Sequence, residues 1–384
     1  MNSRERVRVA LARREPDRVP IGIGSSGSAI HDEVYSALKQ HLGIESEIEP
    51  FRRGHGDNYY DDRVLEALGA DIRHVFLNFY HSSHWVRREL GEGGLYDAFV
   101  DAWGLVNETK DGMHVFSGQP LARATCAADI DGYPWPKPYG DSGLVYGLRE
   151  RVQELTRHTT YAISVRSPTS GIFELAWLLR GMENLLVDML ADPAFATRLV
   201  DRIADTVIQY YDVILSEVGP YVDIVETQDD YGSQQNSLLS PELFRRVIKP
   251  ARMRLNDLIR RKAPHARIYL HSCGAVRKLI PDLIDTGVEI LNPVQPLAAG
   301  MDSRDLKRDF GDRLVFYGAI DVQLALPGSP DDVEAEVRRR IRDLAPGGGY
   351  ILAPANVVHR DVPTQNLLRL VEAAKKYGTY PIAV

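Results

Sequence analysis

Cysteine is scarce in this chain: Cys126 and Cys273 are the only two in 384 residues. A disulfide framework is excluded beyond one bridge, and a reducing cytoplasm is the simplest compartment. A thiol in that setting serves metal binding, nucleophilic chemistry or packing. For Cys126, in "RATCAAD", packing is the expectation. Long apolar runs are missing as well. No stretch reaches about 18 consecutive apolar residues, so no membrane span is expected. The opening "MNSRERVRVALARREPDRVP" has no apolar core and does not read as a secretory signal. A basic surplus is also lacking. The net charge is -7 with both signs mixed along the chain, which argues against a nucleic-acid surface. No internal repeat or low-complexity segment breaks the sequence.

What is present is an alternation. Short apolar or β-branched runs end in polar or Gly/Pro breaks, and longer amphipathic stretches follow. That is the pattern of β-α units around a parallel sheet. Eight runs read as strands: Arg18 to Ile23, Ile72 to Leu77, Tyr161 to Val165, Val222 to Glu226, Arg267 to Leu270, Val288 to Leu291, Leu314 to Tyr317 and Tyr350 to Leu352. Their near-continuous apolar character fits strands covered on both faces. "SPDDVEAEVRRRIRDLA" opens a helix with Ser329 as N-cap and Pro330 at the first position. Pro250 should kink or divide the helix of "PELFRRVIKPARMRLNDLIRRKA". Eight such units predict an α/β fold, a single (β/α)8 TIM barrel formed as one domain over residues 1–384. Residues 80–139 break the rhythm with a hairpin-like pattern and a Pro- and aromatic-rich loop. They read as an insertion between strands two and three, with a lid role and a plain surface excursion equally open. Within it, His81 and His84 read as solvated or lid contacts, and Trp85 and Trp103 as packing that borders the mouth.

In a barrel of this kind the chemistry gathers after the C-terminal strand ends. After strand four stand Glu226 and the pair Asp229 and Asp230, candidates to orient or protonate a substrate or, for Glu226, to reach an ion. A solvated, helix-capping loop is the equally weighted alternative for the two aspartates. After strand five stands "IYLHSCGAV". His271 and Cys273 lie two apart in an extended segment, so both side chains point to one side. A borderline-soft ion such as Zn²⁺ takes imidazole nitrogen and thiolate sulfur. An isolated His-x-Cys is more often a packed histidine beside an inert thiol; the barrel position moves the balance toward a ligand pair. The later strand ends add Asn292 and Gln295, then Asp321, then Asn356 and His359 as candidates for substrate contacts and acid-base work.

The segments "RERVRVALARREPDRVP", "DAWGLV", "DIDGYPWPKP", "SLLSPELFRRVIKP", "YLHSCGAVRKLIPDLIDTGVEILNPVQP", "FYGAIDVQ" and "GGGYILAPANVVHRDVP" resemble, in order, the uroporphyrinogen decarboxylase superfamily. The resemblance implies the barrel. True uroporphyrinogen decarboxylases carry Arg-Gln-Ala-Gly-Arg after the first strand. Here that loop reads "GIGSSGSAIHD" and has no arginine, so the clamp for a polyanionic tetrapyrrole is missing from its usual place. The chain is more similar to the zinc-dependent, corrinoid-linked methyltransferases. That branch implies zinc on His271 and Cys273, and a methyl-corrinoid (cobalamin) co-substrate on a separate corrinoid protein. The implied reaction is demethylation of a methoxylated or similar small molecule, or methyl transfer to an acceptor. The branch often adds a third cysteine in the strand-eight loop, where this chain has Asn356. The resemblance leaves Glu226, His359 and Gln295 open as the completing ligand, and a homodimer open as the assembly. A metal-free decarboxylase or lyase, and a non-catalytic small-ligand-binding relative, are the alternatives.

Overall fold

A computed structural model describes residues 1–79, 81–82, 86–92, 94, 97–110 and 113–383. Seven parallel strands form a curled sheet: β1 (Ile72–Val75), β6 (Ala162–Val165), β7 (Ile224–Gln228), β8 (Arg267–His271), β9 (Ile290–Asn292), β10 (Val315–Ile320) and β11 (Tyr350–Pro354), hydrogen-bonded in that order. β2 (Val86–Glu89), β3 (Phe99–Asp101), β4 (Val106–Lys110) and β5 (Met113–Ser117) form a separate antiparallel sheet. The large sheet is curled and TIM-barrel-like, and helices follow its strands.

The first expected strand does not form as a run. Residues 18–23 pair only at single bridges, Ile21 with Leu352 and Arg18 with Thr379. Pro20 has no N–H to give, and glycines flank Ile23, so no ladder propagates. Even so, the segment touches both edges of the sheet. The Gly22 N–H donates to the Leu352 carbonyl at 2.9 Å, and the Asp71 N–H donates to the Ile21 carbonyl at 2.8 Å. Buried Asp71 fixes this junction by accepting from Arg6, Arg18, Ser3 and the Ile21 N–H.

The helix Ser3–Leu11, with a capping box of Asn2 and Glu5, plugs one end of the curl. Its Val7 and Leu11 join Ile72, Ala162, Ile224, Tyr269 and Tyr317 in an inner apolar cluster. The strands are buried almost throughout, as parallel strands covered on both faces must be. A second, larger core fills the space between sheet and helices, which include the helix Pro193–Val218, capped by Asp192. The expected kink at Pro250 is a change of helix type: Phe244–Ile248 is a π turn and Lys249–Lys262 an α-helix.

Cys126 corrects the packing expectation. It is exposed at the start of the short helix Ala127–Asp131. The exposed His81 Nε2 lies 2.8 Å from Glu49 Oε2. His84 and Trp85 lie outside the described residues. Trp103 is fully buried. No helix among the described residues is long and apolar enough to cross a membrane.

Candidate metal centre and its cavity

β8 ends at His271, and the chain stays extended through Cys273. Period-two alternation brings the two side chains together, with Cys273 Sγ 3.3 Å from His271 Nε2. The third donor is Asp230, just past β7, with Oδ1 3.8 Å from His271 Nε2. All three donor atoms lie within 4.8 Å of one another, the one such group of three among the described residues. Zinc bonds of about 2.3 Å to sulfur and about 2.1 Å to nitrogen, at a tetrahedral angle, separate the two ligand atoms by about 3.6 Å. The donor set therefore fits a zinc ion. The Asp230 carboxylate also accepts from the Cys273 N–H at 2.8 Å, which ties the two loops together.

Around the three donors the neighbours are specific. His271 Nδ1 is 2.6 Å from Asn292 Oδ1, while Asn292 Nδ2 donates to the Tyr317 carbonyl at 3.0 Å. The second bond fixes which way the amide faces, so Nδ1 is the protonated nitrogen and the Nε2 lone pair faces the sulfur. The Cys273 sulfur accepts from Asn356 Nδ2 at 3.4 Å and Gln295 Nε2 at 3.5 Å. Gln295 Oε1 in turn accepts from the Gly274 N–H at 2.8 Å. Gly274 sits at φ +81°, where a side chain would be strained and would collide with Gly232. Burial pushes the Cys273 thiol well above its ordinary value, with the charges of Asp230 and Glu174 acting in the same direction and the Asn356 amide against them. A cation at this spot reverses that balance and makes the thiolate the stable form.

The other expected site residues fall in different places. Glu226, expected at a strand end, is buried in the middle of β7 and is bound by the Ser26 N–H (2.7 Å), Ser164 Oγ (2.7 Å) and His74 Nδ1 (3.0 Å). It is not in the donor cluster. Burial pulls its carboxyl upward, but His74, Arg166 and the Ser26 N–H together hold it below the ordinary range. Its contact with Ser26 anchors the first loop, whose Gly27 packs against the His271–Asn292 pair. A Cβ at Gly27 would collide with His271 Nδ1 and Asn292 Oδ1.

Asp229 points away from its neighbour. Buried, it accepts from the Phe173 and Glu174 N–H groups at 3.0 and 2.9 Å and from the Tyr231 hydroxyl at 2.7 Å. It fastens the start of the helix Ile172–Arg180, the helix-capping alternative weighed for it in the sequence. Asp321, expected at a substrate contact, caps the turn after β10 through the Gln323, Leu324 and Ala325 N–H groups. His359 is exposed at the rim of the cavity described next.

His271 and Asp230 open onto a cavity of about 390 Å³. Its wall includes Trp103, Asn107, His114 and Phe116 from the antiparallel sheet and the turn within it, together with Arg52, Arg166 and Glu174. Burial pushes the Glu174 carboxyl up to about 8, with Asp230 and Asp229 adding to the effect, so it holds its proton at neutral pH. Glu174, Arg52 and Arg166 were not among the expected site residues. Arg166 directly follows β6, so the strand-end rule applied to strand three would have found it.

The chain matches the family described as "Uroporphyrinogen decarboxylase (URO-D)" over residues 118–377. Among curated relatives, a methylated-thiol–coenzyme M methyltransferase of Methanosarcina mazei is 24% identical over 246 residues, 63% of this chain and 61% of that protein. The chain therefore spans about three fifths of that relative's length. A methylcobamide:CoM methyltransferase of Methanosarcina barkeri is 26% identical over 250 residues, 65% of this chain and 69% of the relative. A uroporphyrinogen decarboxylase of Salmonella paratyphi B is 25% identical over 291 residues, 72% and 75%. A solved methyltransferase from Methanosarcina mazei superposes with a TM-score of 0.66 over 98% of this chain and 99% of that one, at 18% identity.

Proposed function

The chain belongs to the uroporphyrinogen decarboxylase family, and from that premise we propose that it is a zinc-dependent methyltransferase working with a corrinoid protein on a small methylated substrate. The observation that carries the reading is the meeting of His271 Nε2, Cys273 Sγ and Asp230 Oδ1 at the wall of a cavity. These three would hold the ion, and Asp230 takes the place left open where Asn356 stands. Bound there, zinc supplies Lewis acidity to a methylated heteroatom or stabilises a thiol acceptor as thiolate.

The protein's own groups do the rest. Asn292 fixes the tautomer and plane of His271, and Asn356 and Gln295 donate to the sulfur. Glu174 keeps a proton near Asp230 and supplies it to an oxygen leaving group. The first loop, held by Glu226, closes the side of the pocket behind His271. On this reading residues 1–384 form one (β/α)8 barrel, residues 80–139 are an insertion after its second strand, and the antiparallel sheet is the lid over the cavity. Two relatives bear methyltransferase names that refer to coenzyme M or methylcobamide, which supports the corrinoid link. The Arg-Gln-Ala-Gly-Arg clamp is absent, and a cavity of about 390 Å³ suits a small ligand.

The test monitors the cobalt absorption bands. The zinc-loaded protein is mixed with methylcobalamin and a thiol, or with cob(I)alamin and a methoxylated arene. The spectrum should convert in one of the two mixtures, and chelation or Cys273→Ser should stop it. Carbon dioxide release indifferent to chelators would establish the decarboxylase reading instead.

A further inference from the structure

Two arginines of the cavity wall share a single aspartate. Arg52 and Arg166 both face one carboxylate, that of Asp57. Arg52 Nη2 takes Oδ1 at 2.5 Å. Arg166 Nη2 stands 3.6 Å from Oδ2, beyond hydrogen-bond reach. The Arg166 side chain is only 6% exposed, and its Nη1 has no hydrogen-bond partner among the described residues. Tyr60 and Phe51 stack on the guanidinium, with ring centres 4.9 and 5.3 Å away. They hold its plane and leave Nη1 unsatisfied. A buried guanidinium N–H left without an acceptor is costly, so an acceptor that reaches Nη1 is favoured there.

The stacked histidines beside Arg52 add no charge to the wall. His55 and His114 are stacked beside Arg52, with ring centres 3.9 Å apart. Burial first, and Arg52 next, push both imidazoles down, His114 to about 4. Both are therefore neutral, and neither adds a cation to Arg52 and Arg166. On the acidic side, Asp57 is held by Arg52, the Asp101 carboxylate accepts from the Trp103 and Leu105 N–H groups and from Asn107, Glu226 is taken up by Ser26, Ser164 and His74, and Asp230 belongs to the donor cluster. Five aromatic side chains also line the wall: Phe51, Phe76, Phe79, Trp103 and Phe116.

We propose that the substrate is an aromatic carboxylate whose carboxyl group docks on the Arg166 guanidinium at its unmet Nη1, beside Arg52, with its ring against the phenylalanines and its methylated end toward His271. The planar fork of arginine matches a carboxylate through two parallel N–H···O bonds, which a neutral amide cannot return. The proposal rests on the methyl-transfer reading for the role of the far end of the substrate, but not for the docking itself.

Binding is therefore measured by calorimetry without any corrinoid, on the zinc-loaded full chain, with three probes: 4-methoxybenzoate, 4-methoxybenzamide and ethanesulfonate. The acid should bind about tenfold or more tightly than the amide. Arg166→Gln should weaken the acid by about tenfold or more and leave the amide within about twofold, and Arg166→Lys should fall between. The wild-type comparison stands even if Arg166→Gln does not fold, and Arg52→Gln then supplies the second test, with a smaller loss for the acid alone. Equal binding of acid and amide, equal loss of both on Arg166→Gln, no binding of the acid, or ethanesulfonate binding more tightly than the acid would each overturn the proposal. Tight, Arg166-dependent binding without methyl transfer would leave it standing and sink the methyltransferase reading. Methyl transfer from neutral donors as fast as from acids would do the reverse.

Discussion

Asn292 touches no candidate donor site with an atom of its own that could bind metal, yet it decides how His271 is presented. Asn292→Ala removes the oxygen that accepts from His271 Nδ1 at 2.6 Å. The imidazole is then free to rotate and to carry its proton on Nε2, the nitrogen that must be bare. Loss of such an orienting partner costs about 10–100-fold in metal affinity, or about 1.4–2.7 kcal/mol. The same change takes the Asn292 N–H from the buried Tyr317 carbonyl, which costs about 1–3 kcal/mol of folding stability. Asn292→Asp separates the two effects. It keeps an acceptor for Nδ1 and adds charge, so zinc affinity should hold or rise, while the lost N–H still lowers the melting temperature. Competition against a chromogenic zinc chelator, alongside thermal melts of the three proteins, reads both quantities. If Asn292→Ala binds zinc as tightly as the wild type, His271 is not a ligand presented through its Nε2.

Three further outcomes follow from the same geometry. Gly27→Ala should weaken zinc binding by about tenfold or more, measured by the same competition, because the new methyl displaces the His271–Asn292 pair. Asp229→Ala should lower stability by about 1–3 kcal/mol in urea unfolding while leaving one zinc bound, since its partners are the N–H groups that open a helix. Glu174→Gln should change the pH dependence of stability in the metal-free protein. In the fold Glu174 titrates at about 8, and in the unfolded chain at about 4.3. Between those values the unfolded chain has released a proton that the native chain keeps, so rising pH favours unfolding. The variant lacks that slope, and its melting temperature should gain on the wild type from pH of about 5 up to about 8; a constant gap would show that Glu174 is ionised.

The strand-end reading of the sequence named His271, Cys273 and Asp230, which the structure brings together; side-chain alternation along a strand is local and survives folding. The meeting of His271 and Cys273 follows from their spacing alone. The aspartate pair shows where that reasoning stops. Asp229 and Asp230 look alike in sequence, yet adjacent residues face opposite ways, so one fastens a helix and the other reaches His271. Nothing local says which. Glu226 was legible as a strand-end acid but not as the anchor of the first loop, since its partners Ser26, His74 and Ser164 come from three distant segments. The first strand failed because Pro20 and the glycines around Ile23 oppose a ladder that apolar content alone suggests. The arginines were sought in the first loop, where the family keeps them, whereas the cavity draws them from residues 52 and 166.

The central claim is that one sulfur, one imidazole and one carboxylate hold a zinc ion. X-ray absorption at the zinc edge of the purified protein tests it most directly. One sulfur per zinc at about 2.3 Å, with the remaining ligands nitrogen or oxygen at about 2.0–2.2 Å, is the predicted result, with the sulfur lost on Cys273→Ser. A zinc shell without sulfur, or with two sulfurs, would contradict it.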